Sequence, residues 1–249
     1  MVKRSRIGGT CGIGLILLIT VLFFPVVAVG QPVTVQIEVS GSGDGYATIY
    51  SGIDWDDVYA NPDETYTWWM TEPMAIAKEN EPETILAIIE GLGVTVKADP
   101  VLQLGFTVTA GDYATAFSFS SDVLMIDPEL INTQGYAYAN IGISTPGAEL
   151  WGGYGMEAYQ ALYNGSTVFA ELIDASPLTG PGSFDENTGW LAIPGSVSSM
   201  QAKWQFTLSA EGMATGSSYY EIAGDPIPEP ASILLLGLGG LALLRKRRA

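Results

Sequence analysis

From Met200 to Ala210 apolar and polar residues alternate without a break: Met200, Ala202, Trp204, Phe206, Leu208 and Ala210 are separated by Gln201, Lys203, Gln205, Thr207 and Ser209. A period of two fits a β-strand with one buried face, because successive side chains of an extended chain point to opposite sides of a sheet. Similar alternation predicts strands over residues 33–39, 102–108, 115–119, 136–143, 159–163, 168–173 and 217–222. Turn-forming compositions punctuate them at 41–45, 110–112, Asn164-Gly165-Ser166 and 177–182. Residues 82–90 read either as a short helix opened by Pro82 and stopped by Gly91, or as a buried strand carrying Ile85, Leu86, Ile88 and Ile89; strand is preferred. Many short strands with a turn signal every ten residues or so predict an all-β body, an antiparallel two-layer β-sandwich of jelly-roll-like type. The 217–222 strand is expected at its edge, with 224–227 as a linker.

The charge is divided between the ends and the middle. Lys3, Arg4 and Arg6 begin the chain, Arg245, Lys246, Arg247 and Arg248 nearly end it, and only Lys78, Lys97 and Lys203 lie between. All 27 acidic residues fall between Glu38 and Glu229, so three lysines face 27 acids there, a formal charge of −24. Phosphate recognition needs clustered Lys and Arg, so nucleic acid is excluded as a partner. The chain has no histidine, which removes Ser-His-Asp and Cys-His catalysis and imidazole-based zinc sites. Its one cysteine, Cys11, lies near the N-terminus, so the body is expected to be held by packing without disulfides.

Residues 1–30 read as a secretory signal peptide. The charged start is followed by an apolar stretch over 13–24, Pro25 breaks it, and Ala28 and Gly30 supply the small residues read by a signal peptidase, with cleavage before Gln31. At the other end Pro228-Glu229-Pro230 precedes an uncharged run over 231–244 and the basic tetrad. Prolines on both sides keep Glu229 extended, as a processing enzyme that threads a strand-like peptide requires. The run of fourteen residues, as a single transmembrane helix, spans about 21 Å, short of a hydrocarbon core of roughly 30 Å. Arg245, Lys246, Arg247 and Arg248 act as a cytoplasmic stop-transfer signal and leave everything before the helix on the outer face.

This order of Pro228-Glu229-Pro230, Ala231-Ser232, a Leu/Gly-rich run and an Arg-rich end resembles the PEP-CTERM sorting domain. The resemblance implies an exported protein whose Pro-Glu-Pro site is processed by an exosortase, a membrane-embedded transpeptidase-like enzyme. Pro228, Glu229 and Pro230 are then a recognition site for another enzyme and not a catalytic site of this chain. The domains expected are signal peptide 1–30, β-sandwich 31–224 and sorting signal 225–249.

The body offers three candidate chemistries. Between Asp54 and Glu83, Trp55, Trp68 and Trp69 stand among acids such as Asp54, Asp56, Asp57, Glu72 and Glu81, a composition that suits stacking on pyranose rings with carboxylates accepting hydrogen bonds from hydroxyls. An acidic flap whose aromatics cover the sandwich explains the same residues. Calcium could be held by such acids, yet Asp54-Trp55-Asp56-Asp57, Asp44-Gly45 and Asp185-Glu186-Asn187 all lack EF-hand spacing, so no metal or cofactor is assigned. Glu157, Glu171 and Glu211 are the carboxylates to compare with the spacing of a glycoside hydrolase pair. Asn164-Gly165-Ser166 matches a glycosylation sequon but is equally a favoured hairpin turn, and the turn is preferred. The expectation is a non-enzymatic structural or adhesive protein, anchored transiently in the inner membrane and destined for the cell surface or extracellular matrix. Exopolysaccharide binding is the alternative, and a secreted glycosidase ranks last.

Overall fold

The computed structural model describes residues 35–41, 45–51, 59–60, 65–78, 81–97 and 99–226. In chain order its strands are β1 (Val35–Gly41), β2 (Gly45–Ser51), β3 (Tyr59–Ala60), β4 (Thr65–Trp69), β5 (Met74–Lys78), β6 (Glu81–Lys97), β7 (Val101–Ala110), β8 (Thr115–Ser120) and β9 (Leu124–Ile143). They continue with β10 (Glu149–Gly152), β11 (Glu157–Tyr163), β12 (Thr167–Asp174), β13 (Leu178–Thr179), β14 (Gly182–Asn187), β15 (Leu191–Ala192), β16 (Val197–Leu208) and β17 (Met213–Pro226). The described residues contain no helix, and every strand pairing among them is antiparallel. Among them, accordingly, no helix is long and apolar enough to cross a membrane. The expected signal peptide and the C-terminal apolar run lie outside the described residues.

The ladder divides into two runs that share β9. In one, β2 pairs with β1, β1 with β8, β8 with β16, and the other edge of β16 takes β10 and β11, with β12 beyond. In the other, β4 and β5 flank β6, followed by β7, β17 and β9, with β14 and β15 beyond. The start of β9 pairs with β16 (Leu124 opposite Met200), and the rest pairs with β17. A long strand can leave one ladder for the other in this way only where the pairing is interrupted, and the register shifts between Val197 and Ser199.

Period-two patterning sends one side chain in every pair inward. Along β16, Met200, Ala202, Trp204, Phe206 and Leu208 are all buried, as the alternation predicts. Their counterparts come from the other run: the Phe106 ring of β7 stacks on Phe119 of β8 at 4.8 Å and meets Trp204 and Phe206 at 5.3 Å. On β12, Phe169 stacks on Tyr220 of β17 at 5.5 Å. Each buried Phe contributes about 1.5–3 kcal/mol by leaving water, and ring pairs in these geometries add roughly 0.5–1.5 kcal/mol.

Residues 82–90 are strand, part of β6. Leu86, Ala87 and Ile89 are buried while Ile88 is exposed, and Gly91 marks a β-bulge against β7 where a helix stop was the other reading. Two expectations are corrected. The 217–222 segment is not at an edge: β17 pairs with β7 on one side and β9 on the other, because its inward Tyr220 and Ile222 and its small Gly216 and Ser218 suit a central position. Nor is Gly224-Asp225-Pro226 a linker, since β17 runs past a bulge between Ala223 and Asp225 to pair Pro226 with Leu130. Proline at the last pair is tolerated because a strand end has no further ladder donor to supply.

Candidate functional site

Trp68 and Trp69 are consecutive on β4, so the pleat sends their indoles to opposite faces. Trp68 stands opposite Val94, is half-buried and packs against the core. Trp69 stands opposite Gly93 and is 57 % exposed. The two cannot therefore offer one ligand a common surface, and Trp69 alone is presented to solvent. Trp55 lies outside the described residues.

The setting of Trp69 is built by glycine. A β-carbon placed on Gly93 would stand 2.0 Å from indole Cε3, so the ring lies directly over the Gly93 backbone, and one on Gly105 of the next strand would stand 3.9 Å from Cζ3. Only residues without a β-carbon let an aromatic ring lie on a sheet in this way. The benzo ring of the indole is thereby packed on backbone. The ladder continues from Trp69 through Gly93, Gly105 and Ser217 to Asn140, which donates from Nδ2 to Ser183 Oγ and the Phe184 carbonyl, both at 3.2 Å. Flanking rows on this outer face place Thr67 against Thr95 and Thr107 against Thr215, each pair of hydroxyls 3.3 Å apart.

A second aromatic group lies further along the same face. Tyr136 of β9 meets Tyr219 of β17 edge-on at 6.1 Å and Trp190 at 5.7 Å, and Trp190 is 49 % exposed. The Tyr219 hydroxyl donates to Glu221 Oε2. Partial burial first, and then the Glu221 carboxylate it serves, push the Tyr219 phenol up to about 12. Sequence reading missed Trp190, which stands outside any alternating segment; only the ladder brings it beside Tyr136.

Two of the three candidate carboxylates, Glu171 and Glu157, are engaged in structural bonds. Glu171 on β12 accepts from Gln160 Nε2 at 2.7 Å across the β11–β12 hairpin, and Glu157 Oε2 accepts from the Met156 amide at 3.3 Å. Glu211 occupies the β16–β17 turn at φ 58°, its amide bonded to the Gly111 carbonyl. The three stand on separate elements. Of the calcium candidates, Glu186 accepts from the Ile173 amide at 2.7 Å and Asn187 from the Gly189 amide at 3.1 Å, while Asp44, Asp54, Asp56 and Asp57 lie outside the described residues. Among the described residues no group of three or more acids and thiols is placed to hold a metal ion. On the 65–83 stretch the ammonium of Lys78 lies 2.8 Å from Glu81 and holds that carboxyl below its ordinary range.

Asn164 and Gly165 adopt φ of 48° and 85° at the tip of the β11–β12 hairpin. The Asn164 side chain donates to the Ser196 carbonyl at 2.8 Å and accepts from the Ser198 amide at 2.8 Å, so both ends of its amide tie the hairpin to the start of β16.

Pro228, Glu229 and Pro230, the expected cleavage residues Ala28 and Gly30, and the basic tetrad Arg245, Lys246, Arg247 and Arg248 lie outside the described residues. Residues 226–248 match the PEP-CTERM protein-sorting motif, a match that begins on the last residue of β17. No curated protein matches the chain. The chain thus carries the signal of an exported, membrane-transiting cell-surface protein that is handed to exosortase-type machinery.

Proposed function

We propose that this PEP-CTERM-sorted chain is a non-enzymatic structural or adhesive component of the cell surface or extracellular matrix. Its body, residues 31–224 with the strand end at Pro226, is a two-layer β-sandwich of jelly-roll-like type. The signal peptide 1–30 leaves after Gly30, and exosortase acts at Pro228-Glu229-Pro230. The observation that carries this reading is the position of the motif: it starts at Pro226, where β17 makes its last pair with Leu130. Folding of the body and recognition of the tail therefore use different residues, apart from that one. The ring contacts between the two strand runs support the two-layer arrangement, and the use of Glu157 and Glu171 in structural bonds supports a body without catalysis.

The test is intact mass and localisation in the native cell, compared with a variant carrying Ala at 228, 229 and 230. Loss of both ends in the wild type, with the variant retained in the membrane, is the expected result. An intact Arg-rich tail and identical location in both would reduce the segment to a membrane anchor.

One observation favours a second reading, a carbohydrate-binding body: the Trp69 indole is seated over the backbone of Gly93 and yet remains largely exposed. An indole supported in this way costs little entropy to order when a sugar ring stacks on it.

A further inference from the structure

We infer that the outer face of the β4-β6-β7-β17-β9 run is an extended binding site for an uncharged polysaccharide, with Trp69 at one end and the Tyr136, Tyr219 and Trp190 group at the other. This deepens the carbohydrate reading and rests on it. Trp69 reaches Asn140 by four ladder steps, about 19 Å at the usual strand spacing, and Tyr136 lies four residues from Asn140 along β9, about 13 Å. Trp69 and Tyr136, the ring beside Trp190, therefore lie roughly 23 Å apart on a diagonal, too far for one sugar ring and suited to an extended chain. Tyr219 stands between them, opposite both Gln103 and Tyr138.

Between the aromatic stations Thr95, Gln103, Thr107, Thr215, Ser217 and Asn140 supply hydroxyls and amides that both donate and accept, while Glu221, bonded to Tyr219, and Asp185, opposite Asn140, bring carboxylates to the margin of the face. Sugar hydroxyls need such two-way partners, and pyranose C–H faces need flat apolar ones. Charge selects the class of polymer. With three lysines against 27 acids between the basic ends, the body repels uronate and sulfate polymers. A neutral chain meets no such barrier.

The experiment is titration of the full-length chain, purified in detergent, with soluble β-glucan, mannan and the uronate polymer alginate, read by tryptophan fluorescence and affinity electrophoresis. At least one neutral polymer is expected to bind and alginate to remain unbound. Trp69→Ala and Trp190→Ala should each weaken binding about tenfold, the value of one aromatic stack, and the double variant should bind still more weakly. Trp69→Phe should recover part of the loss. Tyr113→Ala removes an exposed ring from the β7–β8 turn and should bind as wild type. Binding that survives in the double variant would overturn this face while leaving the carbohydrate reading in place. Alginate bound as tightly as a neutral polymer would overturn the ligand class. If no neutral polymer binds, the face and the carbohydrate reading both fall, and the sorting reading is untouched.

Discussion

Trp204 on β16 donates its indole N–H to Ser218 Oγ on β17 across 3.2 Å, with both side chains buried. Because β16 and β17 belong to different strand runs, this bond joins them through the core in the midst of a cluster of rings. Removing the acceptor leaves a buried donor without water. Ser218→Ala is therefore expected to cost about 1–3 kcal/mol, measured as a lower urea midpoint at unchanged slope. A loss below the range of experimental error would show that the bond is dispensable.

Tyr220 presents the opposite case. It is fully buried, stacks on Phe169, and its hydroxyl has no hydrogen-bond partner among the described residues. Desolvating a phenol without a partner is unfavourable, so Tyr220→Phe should leave stability unchanged or raise it by up to about 1 kcal/mol. Destabilisation comparable to Ser218→Ala would reveal a bridging water at that oxygen.

Asn164 combines a positive φ with bonds to Ser196 and Ser198. Asn164→Gly keeps the backbone freedom and loses only the bonds, whereas Asn164→Ala loses both. The alanine variant should be the less stable of the two, by about 1 kcal/mol, in thermal unfolding.

Alkaline pH should unfold the protein by way of its tyrosines. Burial raises the phenols of Tyr159 and Tyr220 well above their ordinary value, and burial with the Glu221 carboxylate raises Tyr219 to about 12. Below the ordinary tyrosine pKa of about 10 both states are protonated and stability is flat with pH. Above it the unfolded chain gives up protons that the native state keeps, so stability falls as pH rises from about 10 through 12. Denaturant midpoints measured from pH 8 to 12 should show that decline, and Tyr220→Phe should make it shallower.

The strands were legible because hydrophobic period is local: the 200–210 alternation names the buried residues of β16 before any partner is known. Legible too was the sorting signal, since its recognition depends on a linear order of Pro228-Glu229-Pro230, apolar run and basic end. Trp69 could be singled out by type, but its seating depends on Gly93 and Gly105, which stand on two other strands. Trp190 gave no local signal at all.

What the sequence by itself determined is thus the class of structure and the destination of the chain. Alternation dictates strands, the three lysines against 27 acids between the basic ends set the sign of the charge, and a contiguous tail carries its own address. Tertiary structure decided the order of the strands: β17 became central, and β9 came to serve two ladders. The reason is that any alternating segment can pair with any other, and the choice among them is made by side-chain fit between segments far apart in sequence. Phe106 over Gly216 and Trp69 over Gly93 are such fits, each needing a glycine directly opposite its ring on a strand that lies elsewhere in the sequence.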